Sequence, residues 1–122
     1  MLAEPVLRFL RSSIKSVWAL ELLLVMRRAG SRIWTVDELT QELRSNRTLV
    51  ADIAAAFVKN GLLDEPASGT FRYQSASDEL DDLVQQLDRL YAERPPALVK
   101  EIVSAPNERI QSFADAFKLK KH

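Results

Sequence analysis

Arg44, Asn46, Arg47 and Thr48 lie just ahead of an amphipathic run formed by Val50, Ile53, Ala54 and Phe57. If that run is a helix with its apolar side on a core, the 3.6-residue repeat turns Arg47, Thr48, Ala51, Asp52 and Ala55 outward. This face offers a guanidinium with five N–H donors, a hydroxyl that donates and accepts, and one carboxylate. Such groups suit recognition. The inventory for catalysis is thin: there is no cysteine, and His122 is the sole histidine, so neither a thiol nucleophile nor a two-histidine metal site can form within one chain. The glycines at 30, 61 and 69 make no phosphate-binding loop. The clustered carboxylates between Asp78 and Glu93 fall on what reads as an exposed helix, where their titration stays ordinary. No catalytic residue, cofactor or metal is expected.

The elements that must hold this face belong to one domain-sized chain of 122 residues, 47% hydrophobic, with seventeen basic residues against seventeen acidic ones. The balance excludes a global positive field, so any charge-based role is local. The longest apolar stretch, Val17 to Met26, is interrupted by Glu21 and is about half the roughly 20 residues of a membrane span. The start, MLAEPVLRF, has no basic region before an apolar run, so no secretory signal and no membrane partner are expected, and the expected location is cytoplasmic.

Few glycines and abundant leucine and alanine predict a mainly helical chain. Residues Ile14 to Arg28 read as a central helix apolar on almost every side and stopped by Gly30; Val6 to Leu10 reads as a short amphipathic arm. Ile33 and Trp34 form a short strand or linker before Thr35-Val36-Asp37-Glu38, the pattern of a capping box that opens the next helix. Ser45 and Asn46 cap a third helix that ends at Asn60-Gly61. Leu62 to Pro66 and Thr70 to Gln74, on either side of Ala67-Ser68-Gly69, predict a hairpin. From Asp78 a helical seam runs through Leu80, Leu83, Val84, Leu87, Leu90 and Tyr91; prolines at 95, 96 and 106 divide the remaining helices, the last carrying Ile110, Phe113, Ala114 and Phe117.

Two helices joined by a short turn, with a hairpin straight after the second, are the arrangement of a winged helix-turn-helix. Over Ile14 to Ser77 the sequence resembles MarR-type and related winged-helix transcriptional regulators, the exact family unassigned. The resemblance rests on IWTVDELTQELRSNRTLVADIAAAFVKNGLL, on Lys59-Asn60-Gly61-Leu62 at the helix end, and on the aromatic return strand Phe71-Arg72-Tyr73. It implies a mainly α fold with a small β-hairpin wing and additional C-terminal helices: an arm over 1–13, the winged domain over 14–77 and a helical segment over 78–122.

The same resemblance implies a sequence-specific regulator that binds double-stranded DNA, with helix 46–60 in the major groove and wing 62–76 on the backbone or minor groove. Arg47 then faces guanine or phosphate, Thr48 a phosphate or a thymine methyl, and Asn46 a phosphate; Ala51 and Asp52 lie on the reading face. Arg44, Lys59 and Arg32 add backbone contacts and Arg72 serves the wing. Asp52 and the wing acids Asp64 and Glu65 run against phosphate, and they favour the alternative of a winged-helix adaptor that binds a protein partner. Nine cations against six anions in residues 1–60, and eight against eleven in 61–122, place the positive excess on the helix-turn-helix half. The seam over 78–93 and the terminal helices point to a homodimer, since two half-sites a helical turn apart suit a two-fold. Lys118, Lys120 and Lys121 read as a solvated end. Glu21 is expected to pair with Arg28 or Arg44, Trp18 and Trp34 to sit in core and strand, and Tyr73 and Tyr91 to pack with their hydroxyls at the surface.

Overall fold

The computed structural model describes residues 3–104. Helix α1 (Glu4–Ser13) carries a proline in its first turn, where no intrahelical N–H is lost, and buries Val6, Phe9 and Leu10. Helix α2 (Val17–Arg28) starts later than its apolar pattern suggests. Ile14 is extended, and the Ser16 hydroxyl takes the cap by accepting from the Ala19 amide at 3.1 Å. Along α2 the residues Ala19, Leu20, Leu22, Leu23, Leu24 and Met26 are all buried, so it is the rod around which the rest assembles.

Strand β1 (Ile33–Thr35) leads directly into α3 (Val36–Leu43) through the full capping box. The Glu38 amide donates to Thr35 Oγ1 at 3.1 Å, and the Thr35 amide donates to Glu38 Oε1 at 2.9 Å. Helix α4 (Arg47–Lys59) is capped by Asn46, whose Oδ1 accepts from the Leu49 amide at 2.9 Å. It ends in a left-handed Gly61 (φ 81°), beyond which the Leu62 amide bonds back to the Phe57 carbonyl at 2.9 Å. Strands β2 (Leu63–Asp64) and β3 (Thr70–Tyr73) form the wing hairpin, and β3 also pairs antiparallel with β1, giving the order β1-β3-β2. Trp34 lies opposite Phe71, both buried, which stitches the wing to the α2–α3 connection.

Ser77 caps α5 (Asp78–Glu93), and α6 (Pro95–Ser104) follows. The middle of the α5 seam is closed within the chain: α1 and α6 both pack on α5, and Val84 and Leu87 are fully buried, whereas Leu80, Leu83 and Leu90 are half-buried. Uncovering each of those two would cost roughly 1.5–3 kcal/mol, so the middle of the seam belongs to the monomer core. The arm likewise packs at home, as α1 against α5. Trp18 departs from its expected core position and is 40% exposed, whereas Trp34 is buried as expected. The mainly α architecture with a three-stranded wing sheet is the expected winged helix-turn-helix. The readings placed on Ile110, Phe113, Ala114, Phe117 and the lysines at 118, 120 and 121 lie outside the described residues.

Candidate nucleic-acid interface

Helix α4 is anchored by Val50, Ala54 and Phe57, all buried, and half-buried Ile53 packs beside them. Its other side carries Arg47, Thr48, Asp52, Ala55, Ala56 and Lys59, all exposed, with Ala51 half-buried at the edge. The face predicted to point outward therefore does so. Asn46 spends its side-chain oxygen on the cap and keeps its NH2 group for other partners. The turn between α3 and α4 is held by Arg44 in the left-handed region (φ 53°, ψ 44°), with the Ser45 amide bonded to the Thr40 carbonyl at 3.1 Å. Arg44 is exposed at the base of α4.

Three of the five cations assigned to this face are paired with carboxylates. Arg47 donates to Asp37 at the start of α3, through side chains that are 68% and 66% exposed. Arg32 lies 3.5 Å from Glu38 Oε2 and 3.5 Å over the centroid of the Trp34 ring. The Glu38 carboxyl is held below its ordinary range chiefly by the Thr35 amide, with Arg32 adding to the effect. Arg72, the wing cation, stands directly opposite Asp64 and bonds it through Nη2 at 2.6 Å. Its Nε is buried without a partner among the described residues. Between Glu65 and Phe71 the wing tip has no basic residue, and Glu65 Oε2 instead accepts from the Gly69 amide at 3.0 Å. Arg44 and Lys59 make no ion pair among the described residues.

The acidic partners Asp37 and Glu38 were not assigned to the face by sequence reasoning. The capping box already puts both in the first turn of α3, so the local signal was present. The pairing to α4 needs the turn geometry.

Behind the face a second polar set joins α2 and the wing to α5. Tyr73 donates to Asp81 Oδ1 at 2.5 Å, and Arg27 Nε donates to the same oxygen at 3.2 Å. Arg28 pairs with Asp88, and that bond raises its already high pKa. Tyr91 donates to Glu21 Oε1 at 3.0 Å, with burial and the carboxylate both pushing the phenol pKa up. These contacts correct one expectation and refine another: Glu21 takes a tyrosine rather than an arginine as its hydrogen-bond partner, and the tyrosine hydroxyls expected at the surface are part-buried and donate to carboxylates. Among the described residues no three potential ligands cluster for a metal, and no helix is long and apolar enough to cross a membrane.

Comparison with solved structures gives the same architecture. The crystal structure of a multiple antibiotic-resistance repressor, MarR, from Listeria monocytogenes matches with a TM-score of 0.52 and 17% identity, over 95% of this chain and 78% of that one. At that identity the likeness shows a shared fold. No family model matches the sequence, and no curated protein matches it.

Proposed function

We propose that the chain is a sequence-specific DNA-binding transcriptional regulator of the cytoplasm, using 46–60 as recognition helix in the major groove and 62–76 as wing on the backbone or minor groove. The observation that carries this reading is the presentation of α4: a rigid helix whose first turn, Arg47 and Thr48, stands in solvent while its opposite side is locked into the core. Arg47 and Thr48 supply base and phosphate contacts, Asn46, Arg44 and Lys59 hold the backbone, and Arg72 is the wing's single cation. The MarR repressor likeness supports the same reading. A homodimer would place two α4 helices about 34–36 Å apart, one helical turn of DNA. With Val84 and Leu87 covered, the 78–93 segment would contribute its half-buried Leu80, Leu83 and Leu90, together with the terminal helices.

The test is footprinting on the chain's own promoter region, followed by titration of the protected duplex. Arg47→Ala should weaken binding by about 1–3 kcal/mol. A loss under about 0.3 kcal/mol would place the contact elsewhere. The second reading, a winged-helix adaptor for a protein partner, draws on the acidic groups set among the arginines of the face and on Asp52 at its middle. It predicts no protected DNA and a co-eluting protein in gel filtration.

A further inference from the structure

We propose that Asp37 restrains duplex binding by occupying the Arg47 guanidinium in the free protein. DNA docking must then exchange one anion for another. The inference rests on the DNA-binding reading and adds a regulating residue to the same site.

Asp37 is well placed for this. It sits in the first turn of α3, where the helix dipole favours its charge and the Thr35–Glu38 capping box fixes the backbone that carries it. Arg47 opens α4, so the ion pair bridges the two helices of the helix-turn-helix at the point where a phosphate would approach. Both side chains are two-thirds exposed, which makes the pair exchangeable rather than a buried lock. The exchange also leaves a thermodynamic signature. An unpaired arginine that binds phosphate releases a counterion from DNA, and each such release steepens the log–log salt dependence by about 0.9. When Arg47 leaves Asp37, the freed carboxylate lies in the field of the phosphates and draws cations back toward it, so the net release from that contact is smaller than for an unpaired arginine. Glu42 supplies the control: it is an exposed carboxylate on the same helix with no ion pair among the described residues.

The experiment measures fluorescence anisotropy of a labelled mixed-sequence duplex against the full chain across a series of salt concentrations, for wild type, Asp37→Asn, Glu42→Gln, Arg47→Ala and the Asp37→Asn/Arg47→Ala double variant. At low salt Asp37→Asn should bind roughly 1.5- to 5-fold tighter than Glu42→Gln, the span of an exposed ion pair. Its salt slope should be steeper, by at most about 0.9, and both gains should vanish in the double variant. Thermal melting separates this from a purely helix-stabilising role, because loss of the first-turn charge lowers the melting temperature while binding strengthens. Equal affinity and slope for Asp37→Asn and Glu42→Gln, with Arg47→Ala weakened, would overturn the restraint and leave the DNA-binding reading standing. Absence of binding by every protein in the series would overturn both.

Discussion

The phenol of Tyr73 on the return strand of the wing donates to Asp81 on α5, and Arg27 of α2 donates to the same carboxylate oxygen. One carboxylate thus collects a strand of the wing, the central rod and α5. As the shared acceptor, Asp81 is held below its ordinary pKa, first through the Tyr73 bond and then through Arg27, which corrects for this residue the expectation that the carboxylates between Asp78 and Glu93 titrate ordinarily; burial and Asp81 together push the Tyr73 phenol well above its usual value of 10.0. The wing of this chain is consequently tethered at its base and not only through its backbone pairing with β1.

Replacing Tyr73 with Phe removes the hydroxyl and leaves the ring, so the loss isolates the tether. Urea denaturation at neutral pH should show a destabilisation of about 1 kcal/mol. The pH dependence follows from the two shifts. An acid whose folded pKa is depressed stabilises the fold above its ordinary value, and that contribution disappears as pH falls through the lower folded pKa. The raised phenol stabilises below pH 10.0, and its share is lost as pH rises from there toward its folded value. The wild type should therefore lose its margin over Tyr73→Phe at both extremes. A margin that persists unchanged into strong acid and strong alkali would contradict the assignment.

Gly61→Ala tests how α4 is held at its far end. The position has φ 81°, and an added Cβ would lie 3.0 Å from the Ala76 Cβ, in the segment whose amide bonds the Gly61 carbonyl at 2.7 Å. The left-handed conformation alone should cost about 1–2 kcal/mol for alanine. The loss should appear in chemical denaturation. A neutral result would mean that the α4–wing junction relaxes freely.

These elements differ in how far they could be read from residues alone. The Thr35–Glu38 box, the Asn46 cap and the Gly61 stop are local, each set by a few neighbours, and all three form as their spacing predicts. The outward face of α4 follows from periodicity once Val50, Ala54 and Phe57 are taken as core. The pairs Arg47–Asp37, Arg72–Asp64 and Tyr91–Glu21 depend on how whole elements sit against one another, which periodicity does not contain. The α5 seam illustrates the same limit, because its spacing marks an apolar face without saying whose surface covers Val84 and Leu87. Ser16 moved the start of α2 because a hydroxyl able to cap outweighs the continuation of an apolar run.

Arg44 should separate stability from binding. Its left-handed backbone carries a penalty of roughly 1–2 kcal/mol that glycine escapes, offset by about 0.4–1 kcal/mol from the looser unfolded chain. Arg44→Gly should therefore stabilise the fold by around 0.5 kcal/mol while removing a cation that has no carboxylate partner among the described residues. In duplex titrations the same variant should bind more weakly and lose about 0.9 from the salt slope. Stabilisation without any change in binding would remove Arg44 from the interface.

Asp52 is the residue on which affinity and discrimination should move in opposite directions. It is exposed one turn after Thr48, on the face that the proposal places in the groove, and it has no ion-pair partner among the described residues. A carboxylate there repels every phosphate equally, yet it accepts a hydrogen bond only from a base that offers a donor, such as cytosine N4. Asparagine in its place relieves the repulsion and can no longer favour donors over acceptors, because it offers both. Asp52→Asn should accordingly bind mixed-sequence duplex more tightly and lose about 1–3 kcal/mol of preference for the footprinted site. Competition titration of that site against mixed-sequence DNA measures the ratio directly. A variant that gains affinity with its preference intact would reduce Asp52 to a repelling charge, and base selection would then fall to Arg47 and Thr48.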